Sequence, residues 1–397
     1  MTPTIDTLRG NWNYPTSIRF GMGRIAELPE ACRLAGMTRP LLVTDPGLAS
    51  LPMINEALAA NEAAGLPTGL YTNVQPNPVW RNVEEGIQAY RAGGHDGVIA
   101  FGGGSPLDVG KTIAFMLPQD RPPWDFEDIG DYYTRAKVEG IAPVVAVPTT
   151  AGTGSEVGRG TVITDEETHT KKILFHPKML PVVAILDPAL TVGMSPRMTA
   201  GTGMDALAHN LEAYCAPFYH PMAEGIAVEG VRLIKEWLPT AVKDGTNLVA
   251  RAQMLTAASM GAAAFQKGLG AVHALSHPVG ALYGTHHGLT NGVFLPYVLA
   301  YNRPAIEEKM TRLAAYLGLP HPSFDALMNW MLELRMETGT PHTLKELGVG
   351  SDRLEEMARM AEIDPPAAGN PRSVKAPELL QIYRHAMTGN LTPGLAH

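Results

Sequence analysis

Two kinds of hydrophobic pattern divide this chain. Up to about residue 190, short runs of valine, isoleucine and leucine alternate with stretches of helical periodicity, and beyond about residue 195 only long helical patterns remain. Alternating strands and helices are typical of a parallel sheet covered by helices, whereas consecutive helical patterns indicate a helical domain. The sequence therefore predicts an α/β domain over residues 1–194 and an all-helical domain over residues 195–397.

The individual elements follow from the same patterns and from the glycines and prolines between them. The predicted strands are 40–45, 97–102, 144–148 and 182–187. Between the first two strands, helices are expected near 49–63 and 79–93. In the second half the predicted helices are 222–238, 246–266, 304–317, 323–337, 351–361 and 377–387.

Composition narrows the class of protein. The formal charge is −8, and no basic cluster stands out, which argues against nucleic acid or an anionic membrane as a partner. The first residues lack the basic and then apolar order of a signal peptide, and no apolar run reaches membrane-spanning length. Two distant cysteines exclude a disulfide framework and a cysteine-built zinc site. We expect a soluble cytoplasmic protein.

Candidate metal ligands occur in the second half. Asp205 and His209 are four residues apart, which places both on one face of a helix. A stretch without charged residues, 269–290, then carries His273, His277, His286 and His287. A lone Asp-x-x-x-His pair is more often a hydrogen-bonded pair than a metal site. One carboxylate with three imidazoles, however, suits Fe²⁺, Zn²⁺, Co²⁺ or Ni²⁺ and leaves a position open for substrate.

A glycine-rich turn follows the predicted strand 97–102. Gly103 and Gly104 permit a close backbone approach, Ser105 is expected to cap the next helix, and Asp108 lies three residues beyond it as in a capping box. A helix N-terminus of this kind is suited to phosphate. It is not a P-loop, because five residues instead of four separate Gly104 from Gly110-Lys-Thr. A plain tight turn remains the alternative.

Two further segments lie where ligands bind in parallel sheets, at the carboxyl ends of strands. The polar loop 148–156 includes Thr149 and Thr150, although its composition also fits an ordinary surface loop. Asp45 ends the first strong strand, where a carboxylate can accept hydrogen bonds from ribose hydroxyls and would repel a 2′-phosphate. A simple turn or helix cap is an equally open interpretation of Asp45.

Together these motifs resemble the iron-containing, or group III, alcohol dehydrogenases. The resemblance rests on Gly-Gly-Gly-Ser-Pro-x-Asp, Pro-Thr-Thr-Ala-Gly-Thr-Gly-Ser-Glu-Val, Gly-Met-Asp-Ala-Leu-Ala-His and the histidine run, with Pro-Asn-Pro at 76–78 and Asn-Pro-Arg at 370–372. It covers the whole chain in order. It implies a Rossmann-like dinucleotide-binding domain followed by an all-α metal-binding domain, the fold shared with dehydroquinate synthase, and a homodimer or higher homo-oligomer.

The resemblance also implies roles for individual residues. His277 matches an additional active-site histidine that is not usually a ligand, and the matching spacing selects His287 over His286. Lys171 matches a cofactor contact, although Lys172 is an alternative. The implied metal is Fe²⁺ with Zn²⁺ second, and the implied cofactor is NAD. The implied metal ligands are Asp205, His209, His273 and His287, and the implied cofactor contacts are Asp45, Gly103, Gly104, Ser105, Asp108, Thr149, Thr150 and Lys171.

One departure concerns the substrate. Gly158-Arg159 follows the Ser-Glu-Val motif where many family members carry threonine, and Lys267 precedes the histidine run. This resembles members that act on hydroxy acids such as 4-hydroxybutyrate, whose carboxylate Arg159 or Lys267 would meet. The alternative is that either side chain is solvated or paired within the protein.

The expected reaction interconverts a small primary alcohol and its aldehyde. The metal would polarise the substrate oxygen while hydride passes between the carbinol carbon and NAD(H). His277 is expected to relay a proton, or alternatively to orient a ligand. A hydroxy-acid dehydrogenase, a lyase resembling dehydroquinate synthase and a nucleotide-binding module without catalysis remain as alternatives.

Overall fold

The computed structural model describes residues 16–168 and 170–391. They form two compact units, one up to Gly193 and one from Met194 onward. That the first unit binds a dinucleotide and the second a metal stays a prediction at this point. Within the described ranges, no helix combines the length and the apolar character needed to cross a bilayer.

The first unit is built on a parallel sheet. Five helices accompany its strands in the described part of this unit: α1 (Leu28–Leu34), α2 (Pro46–Ala49), α3 (Pro52–Ala63), α4 (Trp80–Gly93) and α5 (Gly104–Met116). The strands are β1 (Ser17–Phe20), β2 (Pro40–Val43), β3 (Gly69–Tyr71), β4 (Gly97–Gly102), β5 (Val144–Pro148), β6 (Gly160–Asp165), β7 (Thr170–Phe175) and β8 (Val183–Leu186). The six-stranded sheet has the order β1-β8-β5-β4-β2-β3, and β6 with β7 forms a separate antiparallel pair.

The centre of this sheet is buried on both faces. In β4, Val98 and Ala100 belong to one hydrophobic cluster, while Ile99 and Phe101 belong to another. Because successive side chains of a strand point to opposite faces, one strand contributes to both cores, which explains its continuous apolar run. The four predicted strands are confirmed as β2, β4, β5 and β8.

The second unit is helical in its described part, as predicted. α6 is buried along almost its whole length and packs against α7, α8 and α10. Its helices are α6 (Pro196–Cys215), α7 (Pro221–Lys243), α8 (Leu248–Ala264), α9 (Ala271–Tyr283), α10 (His287–Tyr316), α11 (Phe324–Glu337), α12 (Leu354–Glu362) and α13 (Ala376–Thr388).

One helix boundary predicted from the sequence is wrong. The segment 304–317 is only the second half of α10, which begins at His287 and contains Pro296 and Pro304. Proline removes a backbone hydrogen bond and usually marks a helix end. Here the helix continues through both prolines because its first half is buried in the unit, so packing compensates for the lost bonds.

Candidate metal centre and dinucleotide loops

The predicted metal ligands meet in the second unit. Asp205 and His209 lie one turn apart on α6, His273 lies on α9, and His287 is the first residue of α10. The Nε2 atoms of His209, His273 and His287 lie 3.8, 3.9 and 3.6 Å from Oδ1 of Asp205. The side chain of His287 is 26% exposed, whereas the other three are buried. Ligand atoms of Asp205, His273 and His287 all lie within 4.8 Å of one another, whereas His209 approaches Asp205 along α6 without joining this group.

A glycine contact allows α6 and α10 to approach closely enough for this arrangement. A Cβ atom on Gly288 would lie 2.1 Å from the carbonyl oxygen of Gly201 and 2.9 Å from Cβ of Asp205. His286 precedes the helix as its N-cap and accepts a hydrogen bond from the Leu289 N–H at 3.4 Å. The structure therefore directs His287 to Asp205, and gives His286 a capping position.

Glu212 is a member of the site that sequence reasoning missed. Its Oε2 bonds Nδ1 of His273, and its Oε1 accepts from the Val272 N–H at 2.7 Å. This leaves Nε2 of His273 facing Asp205, the arrangement by which a carboxylate orients a metal-ligating histidine. Burial lowers the pKa of His273, but Glu212 and Asp205 outweigh burial and the pKa is raised. Asp205, His209 and Glu212 are spaced so that they lie on one face of a helix, and this spacing could have identified Glu212 from the sequence.

Asn291 is a second residue that the sequence did not reveal. It is fully buried one turn after His287, and its Nδ2 lies 2.8 Å from Oδ1 of Asp205. The same Nδ2 is 3.3 Å from Nε2 of His273 and 3.2 Å from Nε2 of His287. An N–H donor therefore faces the same lone pairs that a cation would use, which marks this point as one that attracts positive charge.

His277 lies beside the ligand cluster without joining it. Its ring centroid is 5.5 Å from that of His287 in a stacked geometry and 6.0 Å from that of His273. Its Nδ1 lies 2.9 Å from Oδ2 of Asp364.

In the first unit, the glycine-rich turn differs from its prediction at the helix start. α5 begins at Gly104 with Gly103 as its N-cap, so Ser105 is not the cap and the predicted capping box is wrong. Gly102 has a φ of +150°, and a Cβ atom there would lie 2.7 Å from Cγ of Pro106. Because only glycine adopts this conformation easily, the chain turns at Gly102, and the helix cap lies two residues before Ser105. α5 still follows β4 directly, and its N-terminus, with free N–H groups, is suited to bind phosphate.

The Asp108 carboxylate is bound by the protein itself. Its Oδ1 accepts from Oγ of Ser155 at 2.6 Å and its Oδ2 from the Val162 N–H at 2.9 Å. The buried Lys111 ammonium donates to the carbonyls of Ser155 and Gly160 at 2.9 and 2.7 Å. Asp108 and Lys111 together therefore brace the loop after β5, and we call them the loop clasp.

The loop clasp holds the polar loop 148–156 against the glycine-rich turn that follows β4. A Cβ atom on Gly103 would lie 3.2 Å from Cγ2 of Thr150, and one on Gly104 would lie 2.7 Å from Cγ2 of Thr153. The Thr149 N–H donates to the Gly102 carbonyl at 2.9 Å. Gly103, Gly104, Thr149 and Thr150 are thus brought together, as the candidate cofactor contacts require.

The remaining cofactor candidates have distinct surroundings. Asp45 caps α2, and its Oδ1 accepts from the Leu48 N–H at 3.0 Å, as the capping interpretation expected. Lys172 is engaged with Asp165 at 3.4 Å and lies 5.0 Å from the Trp124 ring centroid. Lys171, in contrast, acts electrostatically on Asp108. Of the two lysines, Lys171 is thus the one whose charge acts on the Asp108 carboxylate.

The two candidate carboxylate-binding cations differ sharply. Lys267 is buried and paired with Glu224 at 2.7 Å, a partner that it shares with Lys309 at 2.8 Å. Burial lowers the pKa of Lys267 to about 8. Lys267 is therefore an intramolecularly paired cation, which is the alternative that the sequence left open. Arg159 is half-buried 5.3 Å from the Phe175 ring centroid. It interacts electrostatically with the Asp128 carboxylate but forms no direct ion pair within the described ranges.

Family models match both units of the chain. The family model described as iron-containing alcohol dehydrogenase matches residues 15–188, and the model of the C-terminal part of the Fe-containing alcohol dehydrogenase family matches residues 199–387. A 4-hydroxybutyrate dehydrogenase from Cupriavidus necator is 35% identical over 392 residues, covering 94% of this chain and 99% of that protein. A 1,3-propanediol dehydrogenase from Klebsiella pneumoniae is 37% identical over 380 residues, covering 92% and 96%.

Solved structures give the same result. A crystal structure of a 1,3-propanediol oxidoreductase has a TM-score of 0.90 at 36% identity, and the match covers 95% of this chain and 100% of the oxidoreductase chain. A sulfoacetaldehyde reductase from Bifidobacterium kashiwanohense in complex with NAD⁺ has a TM-score of 0.87 at 28% identity, with coverages of 96% and 100%. With two family models matching in succession and relatives similar along nearly their whole length, this chain belongs to the iron-containing alcohol dehydrogenase family.

Proposed function

We propose that this enzyme interconverts a small primary alcohol and its aldehyde with NAD(H), on a divalent metal held by Asp205, His209, His273 and His287. The carrying observation is the convergence of three imidazole Nε2 atoms within 3.6–3.9 Å of Oδ1 of Asp205. In the oxidation direction the alcohol carbon loses a hydride to NAD⁺ and the hydroxyl loses a proton, giving an aldehyde, NADH and H⁺.

The donor set fits a first-row divalent ion. One carboxylate oxygen and three imidazoles suit Fe²⁺ or Zn²⁺ and leave a coordination position for substrate. The ion would supply a Lewis acid for the substrate oxygen. Glu212 keeps the proton of His273 on Nδ1, so that Nε2 presents its lone pair. The family favours Fe²⁺, with Zn²⁺ second.

For the dinucleotide, we assign the pyrophosphate to the N-terminus of α5. Gly103 and Gly104 let the backbone approach, and Ser105, Thr149 and Thr150 add hydroxyl groups nearby. Asp108 acts through the loop clasp instead of touching the cofactor, because both of its oxygens bind protein groups. Asp45 would accept from the adenosine ribose through the oxygen that does not cap α2.

The substrate class depends on Arg159. Relatives of this chain include a 4-hydroxybutyrate dehydrogenase and a sulfoacetaldehyde reductase, both named for anionic substrates, beside 1,3-propanediol dehydrogenases named for a neutral one. A half-buried guanidinium that forms no direct ion pair among the described residues, with the Asp128 carboxylate acting on it from a longer distance, favours an anionic substrate as a second candidate. Lys267 does not contribute, because it is buried and paired with Glu224.

The deciding assay follows NADH at 340 nm with anaerobically Fe²⁺-loaded enzyme and NAD⁺. Ethanol, 1,2-propanediol, 1,3-propanediol, 1-butanol and 4-hydroxybutyrate are compared, with a metal-stripped control and the variant His273→Ala. Metal-dependent turnover that His273→Ala abolishes supports the proposal. Full turnover and metal content in His273→Ala would refute the ligand assignment. NAD⁺ that is reduced only transiently within a turnover would favour the lyase.

Comparing 1-butanol with 4-hydroxybutyrate measures the effect of the substrate carboxylate, because both substrates have a four-carbon chain. If the substrate is anionic, Arg159→Met raises KM for 4-hydroxybutyrate by about tenfold, the loss of one charge-assisted hydrogen bond, without changing 1-butanol. Arg197→Met, at an exposed arginine of α6, is the matched control. Equal effects of Arg159→Met on both substrates would leave the neutral-alcohol assignment.

A further inference from the structure

The segment between α12 and α13 braces the helix that carries His273 and His277. Oδ1 of Asn370 accepts from the Ala271 N–H at 3.2 Å at the start of α9. Asn302 donates to the same oxygen at 2.9 Å, which fixes the amide orientation. A Cβ atom on Gly369 would lie 2.1 Å from the Leu269 carbonyl oxygen, so the two backbones are in close contact. This segment is therefore rigidly attached to α9 at its N-terminal end.

Asp364 begins the same segment and reaches the other histidine of α9. Its Oδ2 lies 2.9 Å from Nδ1 of His277, and the two side chains are only 9% and 7% exposed. The Asp364 carbonyl accepts from the Ala367 N–H at 2.9 Å, and Pro365 follows, so the carboxylate projects from a constrained turn. Its Oδ1 is buried and finds no hydrogen-bond partner within the described ranges. His277 is thus the polar group that this carboxylate serves.

A carboxylate at Nδ1 decides where the histidine proton resides. A neutral imidazole carries one N–H, and a carboxylate acceptor holds it at Nδ1 and leaves the lone pair on Nε2. The His277 ring is stacked at 5.5 Å on the ring of His287, a candidate metal ligand, so its free nitrogen belongs to the surroundings of the metal centre. Fixing the tautomer of a proton-accepting histidine is worth orders of magnitude in rate in hydrolases that use such a pair.

We propose that Asp364 is a positioning residue that fixes the tautomer and ring orientation of His277, so that Nε2 of His277 accepts the substrate hydroxyl proton. The assignment rests on the proposed dehydrogenase function. The O–H bond of the alcohol breaks, the proton moves to Nε2, and His277 later releases it to water. Asp364 keeps its contact with Nδ1 and stabilises the imidazolium that forms.

The first test measures the tautomer without turnover. Long-range ¹H–¹⁵N correlation spectra of ¹⁵N-histidine-labelled, Zn²⁺-loaded enzyme report the protonated nitrogen of each imidazole, and His277→Ala identifies the signal among 13 histidines. We expect the Nδ1–H form in the wild type and its loss in Asp364→Asn or Asp364→Ala. An Nε2–H form in the wild type would overturn the proposal.

The second test is a double-mutant cycle on kcat. We expect Asp364→Asn to lower kcat on the order of 100-fold, as for loss of a general base, while metal content and NAD⁺ affinity stay unchanged. In a His277→Ala background the same substitution has no further effect, because Asp364 acts only through His277. Additive losses, or an unchanged kcat, would overturn the proposal. Glu355→Gln, at an exposed carboxylate of α12, is the control.

The two tests separate this proposal from the proposed function. Wild-type enzyme that reduces no NAD⁺ with any alcohol would refute the dehydrogenase, yet the spectra would still decide whether Asp364 sets the tautomer of His277. Active enzyme with an unaltered His277 signal in Asp364→Ala would refute the role of Asp364 alone.

Discussion

In the first unit, the groups expected to hold the pyrophosphate come from residues at the ends of β4 and β5, two neighbouring parallel strands. In the second unit, the candidate metal ligands come from α6, α9 and α10. Strand register brings the first set to one edge of the sheet and the loop clasp holds it there, whereas the second set depends on how closely helices cross. The loop site should therefore fail when its brace is removed, and the metal centre when a helix crossing is widened.

The largest expected effect is that of Gly288→Ala at the crossing of α6 and α10. The added Cβ would lie 2.1 Å from a backbone oxygen of Gly201, so the helices must separate. We expect a loss of about 1–3 kcal/mol of stability, as for other overpacked sites, and loss of the metal. Metal analysis, chemical denaturation and NAD⁺ titration check this, and we expect NAD⁺ affinity to persist.

The matched control is Gly225→Ala on α7, where a Cβ atom meets nothing within 4 Å. Alanine there should stabilise the helix by about 0.5–1 kcal/mol. A Gly288→Ala variant that retains metal would show that the crossing distance does not build the site.

Lys111→Met tests the corresponding brace in the first unit. It removes the donor to three loop carbonyls and the cation 3.9 Å from the Asp108 carboxylate. Because the buried carboxylate then lacks its partner, we expect about 3 kcal/mol of destabilisation and weaker NAD⁺ binding, with metal content retained. The control Lys137→Met removes a 55% exposed lysine paired with Asp120, worth under about 1 kcal/mol. Equal effects of the two substitutions would contradict the clasp.

Glu212→Gln sharpens the comparison within the metal centre. Glutamine retains an acceptor for the Val272 N–H but lacks the charge that orients His273. Metal affinity should fall by about 10–100-fold, measured by competition with a chelator. Glu333→Gln, at an exposed position of α11, should leave affinity unchanged. A Glu212→Gln variant with native affinity would reduce Glu212 to a packing role.

The smallest effect concerns Lys267 and pH. Its pKa falls from the ordinary 10.5 to about 8 on folding, mainly through burial. Between these values the unfolded chain binds more protons, so this residue makes the free energy of unfolding rise with pH. Lys267→Met should therefore flatten the stability profile between pH 8 and pH 10.5, measured by urea denaturation of both proteins. If the stability of both proteins depended on pH in the same way, the lowered pKa of Lys267 would be contradicted.

Where the arrangement of residues depends only on their spacing in the chain, the sequence predicted it correctly. Asp205 and His209 are on one face of any helix that contains them, and β4 with its glycines reads as a buried strand entering a tight turn. The helix cap was misplaced because the conformation of Gly102, which moves the start of α5 to Gly104, is not visible in residue type. The sequence also left Asp45 open between a cap and a ribose contact, and the structure shows the cap.

The sequence by itself determined the division into an α/β unit and a helical unit, and the residue types that can hold a metal and a dinucleotide. Only the tertiary structure decided which partner each buried charge receives. In the folded protein Lys267 pairs with Glu224, Glu212 with His273, and Asp364 with His277. These pairs join residues 43, 61 and 87 positions apart. A buried polar group must find a partner, but the chain's periodicity does not specify which distant group supplies it, because packing alone sets that distance.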